Sequence, residues 1–159
     1  MGDALKNRIK QRDDFPSPIS EAMLSVLVAA DTLRSLLDRF FAAYEITSGQ
    51  YNVLQVLKRA GSEGLPRSEI AARMLERAPD VTRLVDRLEK QNLVSRERSD
   101  VDRRQSFAKI TSKGEELIER ITPELAIFTE EMSQKLSWAE WIALTSICAK
   151  IYSGSDQTG

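Results

Sequence analysis

One stretch, residues 77–113, constrains the fold of this 159-residue chain more than any other. It opens with Pro79, whose fixed φ suits the first position of a helix, where its missing N–H costs nothing. Asn92, further on, tolerates the left-handed conformation that ends helices. Between them, apolar residues recur with the spacing of one helical face, at Val81, Leu84, Val85 and Leu88. The stretch therefore predicts a short amphipathic helix that begins at Pro79.

The same stretch continues as a predicted β-hairpin. We interpret residues 93–98 and 105–110 as its two strands and residues 99–104 as its polar tip. The outward face of the preceding helix carries polar and charged residues, namely Thr82, Arg83, Asp86 and Arg87. A short helix with outward basic side chains, followed by a hairpin with arginines at its tip, suits a major groove and the minor groove beside it.

A solvated surface helix and hairpin is the alternative interpretation, because runs of charge usually face water. Two placements favour a nucleic-acid surface instead. Arg83 and Arg87 lie four residues apart, where like charges repel unless an anion is near. Arg103 and Arg104 occupy the hairpin tip in place of a tight Asn-Gly turn.

Charge is distributed unevenly although the net charge is only −1. Residues 66–113 carry twelve basic and eight acidic side chains, whereas residues 114–159 carry three basic and eight acidic. Phosphate attracts the first segment and repels the second. We expect Thr82, Arg83 and Arg87 to face the duplex and Ser68 to lie near its backbone. Asp86 is expected to steer Arg83 or Arg87.

The remaining segments predict helices around this centre. Ser17-Pro18 is a favourable start for a helix to about residue 43, and Thr47 with Gln50 forms a capping box for a helix that ends at Gly61. A short edge strand at Gly64-Leu65 is followed by a helix to Leu75, which is expected to bury Ile70, Ala71 and Met74.

Two more helices are predicted after the hairpin. Thr111 caps the first, and Pro123 inside it is expected to bend or break it. Ser137 and Glu140 form a capping box for the last helix. The expected fold class is mainly α with a small β-hairpin wing, in which a winged helix-turn-helix head lies between long terminal helices.

The domain division follows from that order. Residues 48–110 are expected to form the winged helix-turn-helix domain, and residues 17–47 and 111–152 the dimerisation helices. Residues 1–16 and 153–159 are expected to be flexible. The N-terminal helix is apolar on more than one stripe and the C-terminal helices are also apolar, so they need a partner to cover them. Intertwining across a twofold axis in a homodimer would do so.

The composition offers few candidate catalytic residues. The chain has no histidine, and its one cysteine, Cys148, lies in an apolar helix without an adjacent base and reads as a core residue. We therefore expect no enzyme, no catalytic residue, no cofactor and no metal site. The longest apolar stretch is too short to span a bilayer, and no secretory signal is visible, so a cytoplasmic location without membrane contact is expected.

The run from Pro79 to Gly114 resembles the multiple-antibiotic-resistance-regulator (MarR) family of bacterial transcription factors. The resemblance rests on residues 80–89, on Leu93-Val94, on the wing residues Asp102, Arg103 and Arg104, and on the closing residues 110–114. It implies a homodimer that binds double-stranded DNA, and it makes Arg104 the wing arginine held by Asp102. Arg103 fills the variable position between them.

Such regulators are expected to be repressors that bind palindromic operators and are released by a small amphipathic, aromatic or phenolic ligand. Four aromatic residues are candidates for lining its pocket, and all are equally explained as core: Phe40, Phe41, Tyr44 and Tyr51. The alternative function is a winged-helix protein–protein interaction module that no longer reads DNA. Steep weakening of duplex binding with salt would distinguish the two.

Overall fold

A computed structural model describes residues 3–75, 80–98 and 106–153 of the chain. In this part of the chain there are three β-strands, β1 (Leu65–Pro66), β2 (Val94–Arg98) and β3 (Ser106–Ile110). The described helices are α1 (Asp3–Ile9), α2 (Pro18–Ala42), α3 (Ser48–Ala60), α4 (Arg67–Arg73), α5 (Val81–Lys90), α6 (Ser112–Ser133) and α7 (Trp138–Ser153). A 3-10 turn, Gly61–Glu63, follows α3.

The three strands form one antiparallel sheet in the order β1-β3-β2. β2 and β3 pair from Val94 opposite Ile110 to Arg98 opposite Ser106, which is the predicted hairpin. β1 pairs on the other side of β3, as the expected edge strand. Gly64, just before β1, has a φ of +69°, and a Cβ there would lie 2.5 Å from the Ala108 carbonyl oxygen. Close approach of β1 to β3 therefore requires glycine at this position.

The core of the head lies between α3, α4, α5 and the sheet. Its largest fully buried side chains within residues 3–114 are Val53, Leu54, Leu57, Ile70, Leu88 and Val94. Burying an aliphatic side chain of this size contributes about 1.5–3 kcal/mol. The expected fold class, mainly helical with a small sheet as the wing, is confirmed.

Helix ends follow the predicted capping chemistry at several places. The Ser17 hydroxyl accepts from the Ser20 amide at 3.1 Å, and Thr47 and Gln50 form the reciprocal capping box. Ser137 and Glu140 cap α7, and Asn92 adopts a φ of +59° just after α5. Because each cap satisfies amides or carbonyls that a helix end leaves unpaired, the local sequence defines these boundaries.

Three expectations about the helices outside α5 need correction. Residues 3–9 of the N-terminal segment form α1, whose Leu5 is buried, although no secondary structure was expected there. Ala71 is exposed, because the single buried position of α4 is Ile70 and Ala71 lies about 100° further around the short helix. α6 is continuous through Pro123, so the helix is not broken there.

The chain divides into two compact units, Met1–Gly114 and Glu115–Gly159. In the second unit, none of the residues of α7 is buried, and Trp138 is 79% exposed. In the first unit, α2 also leaves large apolar side chains exposed, including Ile19, Met23 and Leu27. Within the described residues, we find no helix that combines the length and the apolar character needed to cross a bilayer.

Candidate nucleic-acid interface

The two faces of α5 differ sharply in burial. Val81, Val85 and Leu88 are at most 5% exposed, so three of the four residues of the predicted apolar stripe pack into the head, while Leu84 is half-buried. On the opposite face, the Arg83 side chain is 80% exposed and Arg87 is also exposed. The helix therefore presents two guanidinium groups, one turn apart, to the outside of the head.

Asp80 provides the N-cap of α5. One carboxylate oxygen of Asp80 accepts from the Arg83 amide at 3.0 Å, and the helix begins at Val81. The expected helix start at Pro79 is therefore wrong, because an aspartate one residue later satisfies the free amides of the first turn. The other Asp80 oxygen lies 2.7 Å from Nε of Arg83 as an ion pair between positions i and i+3.

Asp86 contacts a different arginine from the two that were expected. Its carboxylate accepts a hydrogen bond from Arg96 on β2, and Nε of Arg96 also lies 3.5 Å from Glu89. Because both acidic residues lie on α5, this one arginine joins the base of the wing to α5. The expectation that Asp86 steers Arg83 or Arg87 is wrong in this structure.

The N-terminal ends of α4 and α5 are also joined by a side-chain contact. Nη1 of Arg67 donates to the Thr82 hydroxyl at 2.9 Å, and Ser68, next in the chain, is exposed on the first turn of α4. After α4, the amide of Leu75 donates to the Asn52 side chain at 2.9 Å. These contacts place Ser68 and Thr82 on neighbouring turns of the helix-turn-helix.

The C-terminal end of α5 is fastened on both sides. The side-chain amide of Gln91 donates to the Glu45 carbonyl at 2.9 Å, and Nζ of Lys113 donates to the Gln91 carbonyl at the same distance. A Cβ on Gly114 would lie 2.4 Å from the Leu93 carbonyl oxygen. The chain after the wing therefore passes too close to Leu93 for any residue other than glycine. Both ends of α5 are therefore held within the head.

The structure brings some of the predicted site residues together and leaves others undescribed. Thr82, Arg83, Asp86 and Arg87 share the outward half of α5, and Ser68 lies on α4 beside it. Four further predicted residues lie outside the described residues: Pro79, Asp102, Arg103 and Arg104. Their assigned roles stay predictions.

Three side chains at this surface were missed from the sequence: Asp80, Arg96 and Arg67. For Asp80 a signal was present, because aspartate just before an apolar-periodic run is a favoured N-cap. For Arg96 and Arg67 no local signal exists, since their partners lie ten and fifteen residues away along the chain.

The four aromatic residues proposed for a ligand pocket form one cluster at the junction of α2 and α3. The rings of Phe41 and Tyr51 stack with centroids 4.5 Å apart, and Phe40 meets Phe41 edge-on at 5.1 Å. Phe40 also contacts Tyr44 at 5.7 Å. Phe41 is only 2% exposed, whereas the other three are half-buried. Phe41 is therefore a core residue in this structure, and the remaining rings are the accessible part of the cluster.

A three-stranded wing, a helix-turn-helix and an outward pair of arginines define the class of winged helix-turn-helix proteins. A MarR family model matches residues 44–105. The regulator MhqR of Bacillus subtilis is 33% identical over 102 residues, which cover 64% of this chain and 69% of MhqR. The chain belongs to the MarR family of HTH-type transcriptional regulators, which bind DNA, and it is not an enzyme.

A second relative covers more of the chain. The transcriptional repressor MprA of Escherichia coli is 28% identical over 155 residues, which cover 96% of this chain and 87% of MprA. The sequence similarity to this repressor therefore extends beyond the head into the terminal helices.

Solved structures share the fold. A MarR-like transcription regulator from Bacillus cereus superposes with a TM-score of 0.76 at 22% identity, over 84% of this chain and 95% of the other. The DNA complex of MepR from S. aureus gives 0.70 at 22% identity, over 84% and 96%. PcaV of Streptomyces coelicolor, solved with its natural ligand, gives 0.67 at 21% identity, over 80% and 91%.

Proposed function

We propose that this protein is a cytoplasmic, sequence-specific repressor that binds palindromic double-stranded DNA as a homodimer and is released by a small ligand. The observation that carries the DNA-reading part is the division of α5 into a buried apolar face and an outward face with two exposed arginines. An arginine can donate to both major-groove acceptors of guanine, which is worth about 1–3 kcal/mol of discrimination. The MepR complex with DNA supports this use of the fold.

Individual roles follow from where each side chain lies. Arg83 and Arg87 reach base edges or phosphates in the major groove, with Thr82 beside them. Ser68 is exposed on the first turn of α4, and we assign it to a phosphate of the DNA backbone. Asp86 acts indirectly, because its contact is with Arg96 and fixes the wing base against α5.

The wing is assigned to the minor groove. In this proposal Asp102 holds the guanidinium of Arg104 before binding, which lowers the entropic cost of entering a narrow groove. If the tip is extended, Arg103 would face its other side, since residues adjacent in an extended segment point in opposite directions. The support for this assignment is the Asp-x-Arg pattern at residues 102–104.

The homodimer is proposed from the exposed apolar surface of α2 and α7. Ile19, Met23 and Leu27 on α2 are between 64% and 72% exposed in the single chain. Ile142 and Ile147 on α7 are 55% and 53% exposed. A second copy that covers these helices would place two heads about a twofold axis, and the operator would then consist of two half-sites about one helical turn apart, or a multiple of it.

Release by a ligand is proposed for the aromatic cluster, with Phe40, Tyr44 and Tyr51 as the accessible rings. PcaV, which has the same fold, was solved with its natural ligand, and MprA carries the name of a repressor. A small aromatic or phenolic compound would pack against such rings. If it favours a spacing of the two heads that differs from the DNA-bound one, it weakens DNA binding by linkage.

Selection from a random duplex pool, followed by titration of the selected duplex at several salt concentrations, tests this function. The proposal expects a palindromic consensus and a dissociation constant that rises steeply with salt, since each phosphate contact adds about one to the slope. Weak, salt-independent binding without a consensus would instead favour the protein–protein interaction module.

A further inference from the structure

Asp80 uses both of its oxygens on the same residue. One accepts the Arg83 amide at 3.0 Å as the N-cap, and the other lies 2.7 Å from Nε of the Arg83 side chain. The cap fixes the first turn of α5, and the ion pair restricts where the guanidinium can go. Because the guanidinium carries five N–H donors, a contact through Nε leaves donors for a base.

The ion pair between Asp80 and Arg83 contributes little to the stability of the fold. The Arg83 and Asp80 side chains are 80% and 41% exposed, and exposed pairs of this kind contribute little to folding. For DNA binding, moreover, a carboxylate at the N-terminal end of the recognition helix is unfavourable, because it lies on the side that approaches phosphate. The ion pair therefore adds little to folding, while the negative charge of Asp80 lowers the affinity for any duplex.

Arg87 provides the contrast. It lies one turn further along the same outward face, it is exposed, and within residues 3–75, 80–98 and 106–153 it makes no ion pair. Its side chain keeps its rotamer freedom, so it can adapt to whichever phosphate or base lies nearby. Arg83 has lost part of that freedom before any DNA arrives.

We propose that Asp80 is a specificity-determining residue that holds Arg83 in a base-reading position at the expense of affinity for random duplex. The inference rests on the proposed function and deepens it: Arg83 reads sequence, and Arg87 supplies contacts that depend less on sequence. A preorganised arginine loses less entropy when it pairs with guanine, whereas a mobile one can also satisfy its donors on phosphates.

The variant Asp80→Asn separates the two roles of this residue. Asparagine caps helices as well as aspartate does, so α5 keeps its N-cap while the charge of the ion pair is lost. Preference for the selected operator over scrambled duplex should fall about five- to thirtyfold, between the low end of one arginine–guanine contact and the full rotamer entropy of arginine. Affinity for scrambled duplex should rise roughly two- to threefold at 0.1 M salt, because one negative charge near the phosphates is removed.

A double-mutant cycle of Asp80→Asn with Arg83→Ala tests whether the effect of Asp80 acts through Arg83. In the Arg83→Ala background, Asp80→Asn should cause no further loss of preference. The operator positions at which Asp80→Asn loses discrimination should also be those that Arg83→Ala loses, whereas a general loosening of the head would lower discrimination at every position. If Asp80→Asn loses helix content by circular dichroism, Asp80→Ser is measured instead, since serine also caps without a charge.

The possible results distinguish the role of Asp80 from the proposed function as a whole. Operator preference retained in Asp80→Asn, or lost evenly across all positions, would overturn the assignment of Asp80 while leaving the proposed function intact. Wild-type protein that prefers no duplex over another would overturn the proposed function, and the assignment of Asp80 with it.

Discussion

Helices α5 and α7 both carry apolar residues, but these residues are buried in α5 and exposed in α7. α5 buries Val81, Val85 and Leu88 and exposes its charges. α7 buries none of its residues, and Ile142, Ile147 and Ile151 are each more than half exposed. The first helix has its apolar surface covered within the chain, whereas the second has not.

This difference separates two kinds of exposed surface. On α5 the exposed groups are solvated charges, which cost nothing when free and can bind a charged partner. On α7 the exposed groups are large aliphatic and aromatic side chains, and contiguous patches of these mark association surfaces. The comparison supports the proposal that α5 contacts DNA and that α7 contacts a second copy of the chain.

The largest expected effect comes from placing a charge on the apolar surface of α7. Ile147→Asp should weaken self-association at least about 100-fold, because an unpaired charge buried in an interface costs about 3–5 kcal/mol. Sedimentation at micromolar concentration should show the wild type at twice the chain mass of 17.9 kDa and the variant as a monomer.

Ser146→Asp is the matched control, since it introduces the same side chain at an exposed polar position one residue away, about 100° around the helix. It should leave the dimer intact. A wild type that sediments as a folded monomer would contradict the proposal that α7 contacts a second copy, and with it the proposal of a palindromic operator.

The second effect tests the buried face of α5. Leu88 is fully buried, so Leu88→Ala should lower the free energy of unfolding by about 2–5 kcal/mol, which chemical denaturation at a fixed protein concentration measures. The neighbouring Arg87→Ala removes a longer but exposed side chain and should change stability by less than about 0.5 kcal/mol. Equal effects of the two variants would mean that α5 has no distinct buried face.

The sequence predicted α5 and the sheet well because their signals are local. The apolar period of residues 81–88 and Asn92, which follows the end of α5, are signals that depend on only one or two helical turns of sequence. The preference of proline for the first position of a helix predicts a start at Pro79, whereas in the structure Asp80 is the N-cap and the helix begins at Val81.

The side-chain contacts of the site could not be predicted in the same way. Asp86 was paired with the nearest arginines along the helix, while the fold supplies Arg96 from the next strand at closer range. Likewise, α1 has too few apolar residues to predict a helix, and the burial of Leu5 depends on contacts that only the tertiary structure creates. Such contacts depend on how separate elements pack, which a periodic pattern does not encode.

The smallest expected effect concerns the cap of α7. Hydrogen bonds from the Ser137 hydroxyl and, secondarily, the Ser137 amide lower the pKa of Glu140 below its usual value of 4.5. A lowered pKa in the folded state stabilises the protein above the unfolded pKa, and this contribution is lost as the pH falls through the folded value. Wild type should therefore melt slightly above Glu140→Gln at pH 7, and the difference should vanish well below pH 4.5. A difference that persists in acid would contradict the carboxylate's role.

The central claim, that the outward face of α5 reads DNA sequence, is tested most directly by the operator preference of Arg83→Ala. The ratio of dissociation constants for scrambled and selected duplex would be measured for wild type, for this variant and for Arg120→Ala, which removes an exposed arginine from α6. The account predicts a ratio lower by a factor of about 5–150 in Arg83→Ala, equivalent to about 1–3 kcal/mol, and unchanged in Arg120→Ala. An unchanged ratio in Arg83→Ala would contradict it.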